Sequence, residues 1–245
     1  YIGKNKNINV NIIPINSEEK LSSEVLEKLS DSKIDILGIP NYMWTEKLAK
    51  EISKEIKKRS PKTLRIVGGP STPSVDFLDW NSDEIFIIGE GEEAWKQICE
   101  AKIDCAEFNA KDIKKINAKN VFSEVNNLED RHILYTNSQI PKGIPLFSDN
   151  IEAMKLDKAH EDFAWYETTR GCAYNCGYCG HKTRNNLGDV DIDIIQDEIR
   201  NIRKREIKRL FIVDPIIGGK KEKGKEILKF CNSEIPDTQL IAYLR

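Results

Sequence analysis

Strand-like apolar segments alternate with amphipathic helix-like segments along most of this 245-residue chain, and this alternation constrains the fold more than any other feature. In the first part, strand-like segments at 9–15, 34–40, 63–69 and 83–89 are separated by helix-like segments at 17–32, 45–60 and 91–101. Later come strand-like segments at 164–169, 209–214 and 239–245, separated by helix-like segments at 191–208 and 220–233. The alternation predicts parallel sheets covered by helices. We therefore predict an α/β fold with a doubly wound domain at 1–105, a linker with one short hairpin at 106–162, and the start of a barrel at 163–245.

Composition and charge restrict the class of protein. The formal net charge of −2 gives no electrostatic argument for nucleic acid or an acidic membrane as a partner. No apolar run approaches the ~18 residues that a membrane helix needs, and the amino-terminal residues lack the apolar core of a signal peptide. A C-x2-C spacing in a chain without a secretion signal favours metal or redox use in a reducing compartment. We expect a cytoplasmic protein without a membrane segment.

Three cysteines lie within eight residues, at Cys172, Cys176 and Cys179. Three thiolates are one fewer than the four that hold an ordinary iron–sulfur cluster, so a cluster on this loop keeps one iron open for chemistry. The loop follows the strand-like segment 164–169, which would place it at the carboxyl end of a first barrel strand, where barrel active sites lie. The other cysteines, Cys99, Cys105 and Cys231, have no metal spacing and are interpreted as packing residues.

A structural zinc site is the alternative for the cysteine loop. Together with His181, the three cysteines make a Cys3His set. The two-residue step from Cys179 to His181 is tighter than usual zinc spacings, so the cluster is the favoured interpretation.

In the first domain, three strand ends carry small or turn-forming residues, at 38–45 (GIPNYMWT), 67–72 (VGGPST) and 88–93 (IGEGEE). In a doubly wound sheet, ligands bind outside the carboxyl ends of the strands. Glycines at these positions let the backbone approach a ligand closely. Each motif alone is weak evidence for a ligand site. The three together, in this order and at these separations, predict one.

At CAYNCGYC the chain resembles the radical S-adenosylmethionine (SAM) superfamily, whose signature CxxxCxφC has Tyr178 as its aromatic residue. The three loops upstream resemble the cobalamin-binding domain that precedes the catalytic domain in one branch of that superfamily. The resemblance implies a [4Fe–4S] cluster on Cys172, Cys176 and Cys179, with SAM on the open iron and Tyr178 near its adenine. It also suggests Asp214, at the end of the second barrel strand, as a contact of the SAM amino group. A helix cap or an ordinary loop carboxylate is an equal alternative for Asp214.

The same resemblance implies cobalamin-binding residues in the three first-domain loops: Tyr42, Trp44, Thr45, Gly68, Gly69, Pro70, Ser71, Gly89, Glu90, Gly91 and Glu92. The chain departs from the branch in two ways. A first βα unit is absent and the barrel stops short, so we interpret the chain as a fragment. There is also no DxHxxG sequence, and none of His132, His160 and His181 lies in the predicted first domain. The resemblance then implies a lower cobalt face that is empty, water-bound or covered by another side chain, and the 42–45 loop is the candidate for that cover.

The function that the resemblance implies is that of a cobalamin-dependent radical SAM C-methyltransferase. A 5′-deoxyadenosyl radical would activate an unactivated carbon, and methylcobalamin would deliver the methyl group. A small-molecule or peptide substrate and a low-potential electron donor, such as a flavodoxin or ferredoxin, are implied partners. The alternatives are a non-methylating enzyme with the same cofactors (ring contraction, cyclisation or rearrangement), an electron-transfer cluster protein, and a zinc-stabilised binding protein without catalysis.

Overall fold

The computed structural model describes residues 8–11, 13, 15, 21–31, 33–72, 79–89, 91–116, 121–126, 131–136, 162–172, 174, 176–179 and 188–244. The chain divides into two compact units, Ile2–Ser138 and Gln139–Arg245, called here the first and second units. In both units parallel strands alternate with helices, which confirms the predicted α/β class.

In the described part of the first unit, five strands form one sheet in the order β1-β2-β3-β5-β4. The strands are β1 (Ile36–Pro40), β2 (Leu64–Gly68), β3 (Ile85–Gly89), β4 (Val121–Asn126) and β5 (Arg131–Thr136). All neighbours are parallel except the antiparallel pair of β4 and β5. The helices are α1 (Ser23–Leu29), α2 (Glu46–Arg59) and α3 (Gly91–Asp104), and a 3-10 helix spans Ala110–Lys115.

Helices pack on both faces of this sheet because alternate strand residues point to opposite sides. On one face, Val67 and Phe86 pack against Ile52 and Ile56 of α2. On the other, Ile66, Ile85 and Ile87 pack against Ala94 and Ile98 of α3 and against the residues around the 3-10 helix. Fully burying each of these isoleucines contributes roughly 1.5–3 kcal/mol.

Two features of the first unit differ from the sequence prediction. The interval 106–162 is not linker throughout: the predicted hairpin is present as β4 and β5, but β5 also pairs with β3 in parallel, so both strands belong to the sheet. The strand predicted at 9–15 is not formed by those of its residues that the structure describes. Ile13 and Ile15 instead pack against the apolar cluster next to α2 without strand pairing.

Where the second unit is described, β6 (Phe163–Tyr166), β9 (Arg209–Ile212) and β10 (Gln239–Ala242) form a parallel sheet in the order β10-β9-β6. Two helices, α4 (Ile192–Lys204) and α5 (Lys221–Glu234), lie between these strands in sequence. Ile195, Ile199 and Ile202 recur at helical spacing on α4 and are fully buried. They lie in an apolar cluster that also contains every second residue of β6 and β9. A short antiparallel pair joins β7 (Thr169–Arg170) to β8 (Gly188–Asp189).

A buried polar network lies near the amino-terminal ends of β2 and β3 in the first unit. Arg65 is 1% exposed, and its guanidinium contacts the Asp83 carboxylate at 2.6 Å. The neighbouring Glu84 is fully buried and accepts hydrogen bonds from the Ser53 hydroxyl and from the Asn81 amide. Burial raises the pKa of Glu84 above its ordinary value of 4.5, although these hydrogen bonds and the charge of Arg65 act in the opposite direction.

The raised pKa of Glu84 gives a testable pH dependence. A raised pKa in the folded state means that the folded protein holds this proton more tightly than the unfolded chain does. The stability contributed by protonated Glu84 is therefore fully present below pH 4.5 and is lost as the pH rises through the raised value. We expect Glu84→Gln, which keeps the acceptor oxygen, to flatten the decline in the free energy of unfolding above pH 4.5. Urea unfolding across that pH range measures the free energy of unfolding, and Glu107→Gln, at an exposed position, is the control. Parallel pH profiles for wild type and Glu84→Gln would contradict the prediction.

Candidate functional site

The carboxyl ends of β1 and β2 meet at one edge of the first sheet. The Asn41 N–H donates to the Gly68 carbonyl at 2.6 Å, and the Ser71 N–H donates to the Asn41 carbonyl at 3.3 Å. The predicted glycine-rich loop after β2 is therefore in direct contact with the aromatic loop after β1. β3 pairs with β2 in parallel, with Gly68 opposite Ile87, so the loop after Gly89 starts at the same edge.

Gly69 occupies a position that only glycine accommodates. Its φ is +128°, and a Cβ placed there would lie 2.5 Å from the Asn41 carbonyl oxygen. Gly89 also has a positive φ, +103°, at the end of β3. Gly91 begins α3, and Glu92 lies in the first turn of that helix, where the helix dipole favours a carboxylate. Glu90 lies outside the described residues.

The loop after β1 presents aromatic side chains to solvent. The rings of Tyr42 and Trp44 stack with centroids 5.1 Å apart and an interplanar angle of 19°. Met43 is 80% exposed and Trp44 70% exposed, which is unusual for apolar side chains of this size. The Thr45 hydroxyl accepts from the Tyr42 N–H at 3.1 Å and donates to the Tyr42 carbonyl at 3.3 Å, so it holds the shape of this turn.

The sequence analysis missed Asn41 and Thr72, which lie in the same two loops. Both are fully buried. Within the described part of the chain, the nitrogen and oxygen of the Asn41 side-chain amide have no hydrogen-bond partner, and neither does the Thr72 hydroxyl. A buried polar group without a partner costs about 1–3 kcal/mol, so each one calls for an explanation, and a functional role is among them. The sequence signal that could have found Asn41 is its position, because it is a polar residue directly after a strand of apolar residues.

His132 corrects the expectation that the first domain has no histidine. It lies in β5, inside the first unit, and pairs in register with Ile85. Ile85 is the first residue of β3, so His132 belongs to the edge opposite the loops just described. Its place in the sheet therefore leaves the candidate ligand edge without this histidine. His160 and His181 lie outside the described residues.

In the second unit, the cysteine loop is closed at its base by the pairing of β7 with β8. Cys172, Cys176 and Cys179 form no disulfide bond, and each is partly exposed. The Tyr174 N–H points to the Cys172 sulfur at 3.5 Å, and the Cys179 N–H donates to the Cys176 carbonyl at 3.1 Å. Gly171, with a φ of +93°, turns the chain into the loop.

The thiols of this loop are not gathered around one point. Among the described residues, no three His, Cys, Asp or Glu side chains converge closely enough to hold a single metal ion. Thiolates on different irons of a cluster are farther apart than ligands of one tetrahedral zinc ion. His181, which the zinc alternative requires, lies outside the described residues. Metal analysis is therefore the test that separates these alternatives.

The remaining cysteines divide into two kinds. Cys99 and Cys231 are buried, and burial raises the pKa of each thiol to about 11, so they stay neutral packing residues as predicted. Cys105 is exposed, so its interpretation as a packing residue was wrong. It follows directly after α3, where the chain turns into solvent.

Of the two predicted SAM contacts, Tyr178 and Asp214, the structure leaves the first accessible and encloses the second. Tyr178 is 94% exposed next to Cys179. Asp214 is fully buried, and four donors surround its two oxygens: the N–H groups of Thr168, Thr169 and Gly218, and the Thr168 hydroxyl. A carboxylate has about four acceptor positions, so none is left for a ligand ammonium group. Burial raises the pKa of Asp214, while these hydrogen bonds act to lower it.

Comparison with known proteins identifies relatives of this chain. The cobalamin-dependent radical SAM methyltransferase TokK of Streptomyces tokunonensis is 25% identical over 193 residues, which are 75% of this chain and 28% of TokK. A 2-(S-pantetheinyl)-carbapenam-3-carboxylate methyltransferase of Streptantibioticus cattleyicolor is 23% identical over 192 residues, with the same coverage of 75% and 28%. The resemblance to cobalamin-binding radical SAM enzymes is confirmed. The chain thus spans 28% of the length of these relatives.

Solved structures extend the likeness to the fold. The radical SAM methyltransferase TsrM of Kitasatospora setae, with cobalamin and a [4Fe–4S] cluster bound, matches with a TM-score of 0.59 at 16% identity, over 90% of this chain and 47% of TsrM. TsrM with tryptophan and a SAM analogue bound matches with a TM-score of 0.58, over 89% of this chain and 45% of TsrM. No protein-family profile matches the chain. No helix among the described residues is long and apolar enough to cross a membrane.

Proposed function

We propose that this chain is part of a cobalamin-dependent radical SAM methyltransferase that methylates an unactivated carbon. The first unit would be its cobalamin-binding domain, and the second the start of its radical SAM barrel. The observation that carries the proposal is the loop that follows β6, which bears three partly exposed cysteines outside any disulfide: Cys172, Cys176 and Cys179. The similarity to TokK over 75% of the chain supports the same class.

The cysteine loop suits a cluster ligated at three positions. Its thiols are partly exposed, in contrast to the buried Cys99 and Cys231, so iron can reach them. When bound, the cluster would supply the electron that cleaves SAM, and cobalamin would carry the methyl group. The chain's own part is to hold the three thiols on a closed loop and to leave Tyr178 accessible beside them for the adenine.

The edge of the first sheet suits a large planar ligand with polar side groups. The stacked Tyr42 and Trp44 offer an apolar surface, and Gly69 lets the backbone approach a ligand closely. The unpartnered Asn41 amide could pair with an amide of the corrin periphery. We assign the predicted cobalamin contacts to these loops, with Trp44 as the cover of the lower cobalt face. A structure of the complex with Trp44 away from that face would refute this last assignment.

We propose a chemical class for both the substrate and the electron donor. The TsrM structure contains tryptophan, which supports a small-molecule substrate, and the peptide alternative also stands. The donor that we propose is a low-potential protein such as a flavodoxin or ferredoxin. Ring contraction, cyclisation or rearrangement would use the same cofactors, and product mass separates them: a gain of one methylene unit indicates methylation.

Anaerobic reconstitution of the full chain tests the proposal. We expect iron and sulfide in equal amounts with cluster absorbance, cleavage of SAM to 5′-deoxyadenosine under a strong reductant, and saturable cobalamin binding. Uptake of zinc alone, without cluster absorbance, would refute both enzyme hypotheses, the methyltransferase and the non-methylating enzyme. Cluster formation without SAM cleavage would indicate an electron-transfer protein.

A further inference from the structure

The Asp214 carboxylate joins the backbone segment that leads into the cysteine loop to the turn that precedes α5. One oxygen accepts from the N–H groups of Thr168 at 2.7 Å and Thr169 at 3.1 Å. The other accepts from the Thr168 hydroxyl and from the Gly218 N–H at 2.9 Å. Thr168 and Thr169 lead into Cys172, and Gly218 lies in the turn that precedes α5. The carboxylate is therefore a bridge between the root of the cysteine loop and the Gly218–Gly219 turn.

The same two segments also pack against each other at Gly219 and Thr169. Gly219, whose φ is +65°, lies so close to Thr169 that a Cβ added to it would be 2.6 Å from the Thr169 Cγ2 atom. The Gly218 N–H also approaches the Thr168 hydroxyl at 3.3 Å. On the other strand of the loop base, the Val190 N–H donates to the Thr168 carbonyl at 3.3 Å. Thr168 is thus the residue at which the loop base, the turn and Asp214 meet.

Only a carboxylate satisfies this arrangement. All four groups that face Asp214 donate to it, and three of them are backbone N–H groups, which can only donate. An amide at position 214 would turn its NH2 group towards one of these donors and leave it buried without an acceptor. The geometry therefore favours a side chain with two acceptor oxygens at position 214 over one that carries a hydrogen-bond donor.

We propose that Asp214 and Thr168 are positioning residues that fix the root of the cysteine loop, so that the thiols are preorganised to retain a cluster. This inference rests on the proposed function. Loosening the root would add the cost of ordering the loop to every cluster-binding event, which lowers retention without removing a ligand. The role replaces the direct SAM contact that the sequence suggested for Asp214.

Thr168→Val is the informative variant, because valine keeps the volume of the buried threonine and removes only its hydroxyl. Thr168→Ser restores the hydroxyl. Thr238→Val is the matched control, since the Thr238 hydroxyl donates to the Ile207 carbonyl at 2.8 Å in the same unit, away from the cysteine loop. For the wild-type chain and each variant, after reconstitution, we would measure the rate of iron loss to a chelator, the electron paramagnetic resonance spectrum of the reduced cluster with and without SAM, and the melting temperature.

We expect Thr168→Val to lose iron at least about ten times faster than wild type, because the hydrogen bond that it removes is to a charged carboxylate, and to show an altered cluster spectrum. Thr168→Ser and Thr238→Val should stay close to wild type in both readouts, even where Thr238→Val lowers the melting temperature equally. Asp214→Asn, if it folds, should exceed Thr168→Val. Equal iron loss and identical spectra for Thr168→Val and Thr238→Val would overturn the inference, whereas a wild type without a cluster would refute the proposed function instead.

Discussion

Alanine in place of Cys172, Cys176 or Cys179 is expected to abolish cluster absorbance and to reduce SAM cleavage by more than ~100-fold, because even outer-shell changes at metal sites cost 10–100-fold. A cluster held by three thiolates has no spare protein ligand, so losing one leaves two irons without a cysteine. The effect on the fold should be small, since these side chains are only partly buried. Iron and sulfide content, the visible spectrum and 5′-deoxyadenosine formation are the measurements.

Cys105→Ala provides the control for this series. It removes a thiol that is also accessible but lies in the other unit, outside the cysteine loop. Its iron content and SAM cleavage should match wild type. A triple variant should be no worse than each single one, because the three thiolates act as a unit. Full cluster content in any single variant would show that this cysteine is not a ligand.

Much of the fold was predictable because the core elements carry local patterns. The spacing of Ile52 and Ile56 in α2, and the apolar run Ile85–Gly89, place those elements to within a residue or two of their observed ends. The parallel pairing of β5 with β3 had no such signal, since strand partners distant in sequence leave no trace in either segment. The two-residue strands β7 and β8 are likewise held by their surroundings, so periodicity could not reveal them.

The candidate site shows the same division between local and distant causes. The cysteine spacing and the need for glycine at Gly69 are local, and the sequence indicated both. Whether Asp214 faces a ligand or backbone donors depends on Thr168 and Thr169, which lie more than 40 residues earlier in the chain. The burial of Asn41 likewise depends on the loop after β2. Polar residues at strand ends are therefore predictable as candidates, while their partners are set by tertiary contacts.

Gly69→Ala is expected to lower the free energy of unfolding of the first unit by about 2–4 kcal/mol, since strained backbone alone costs 1–3 kcal/mol and here a clash adds to it. The φ of +128° is one that side chains rarely adopt, and the new Cβ would lie 2.5 Å from the Asn41 carbonyl oxygen. Because that carbonyl belongs to the backbone, no rotamer change relieves the overlap. The two loops must separate, so we also expect cobalamin affinity to fall at least ~10-fold, equal to about 1.4 kcal/mol.

The adjacent Gly68→Ala separates steric strain from a general loss of flexibility. Gly68 ends β2 without a positive φ, and a Cβ there would meet only Ile87 atoms at 3.9–4.0 Å, which is ordinary contact. Alanine should therefore be neutral or stabilise by up to about 1 kcal/mol, because it restricts the unfolded chain. Urea unfolding and absorbance titration with cobalamin of both variants make the comparison. Similar losses in the free energy of unfolding at the two positions would refute the steric argument. A destabilised Gly69→Ala that binds cobalamin normally would instead move the ligand away from this loop.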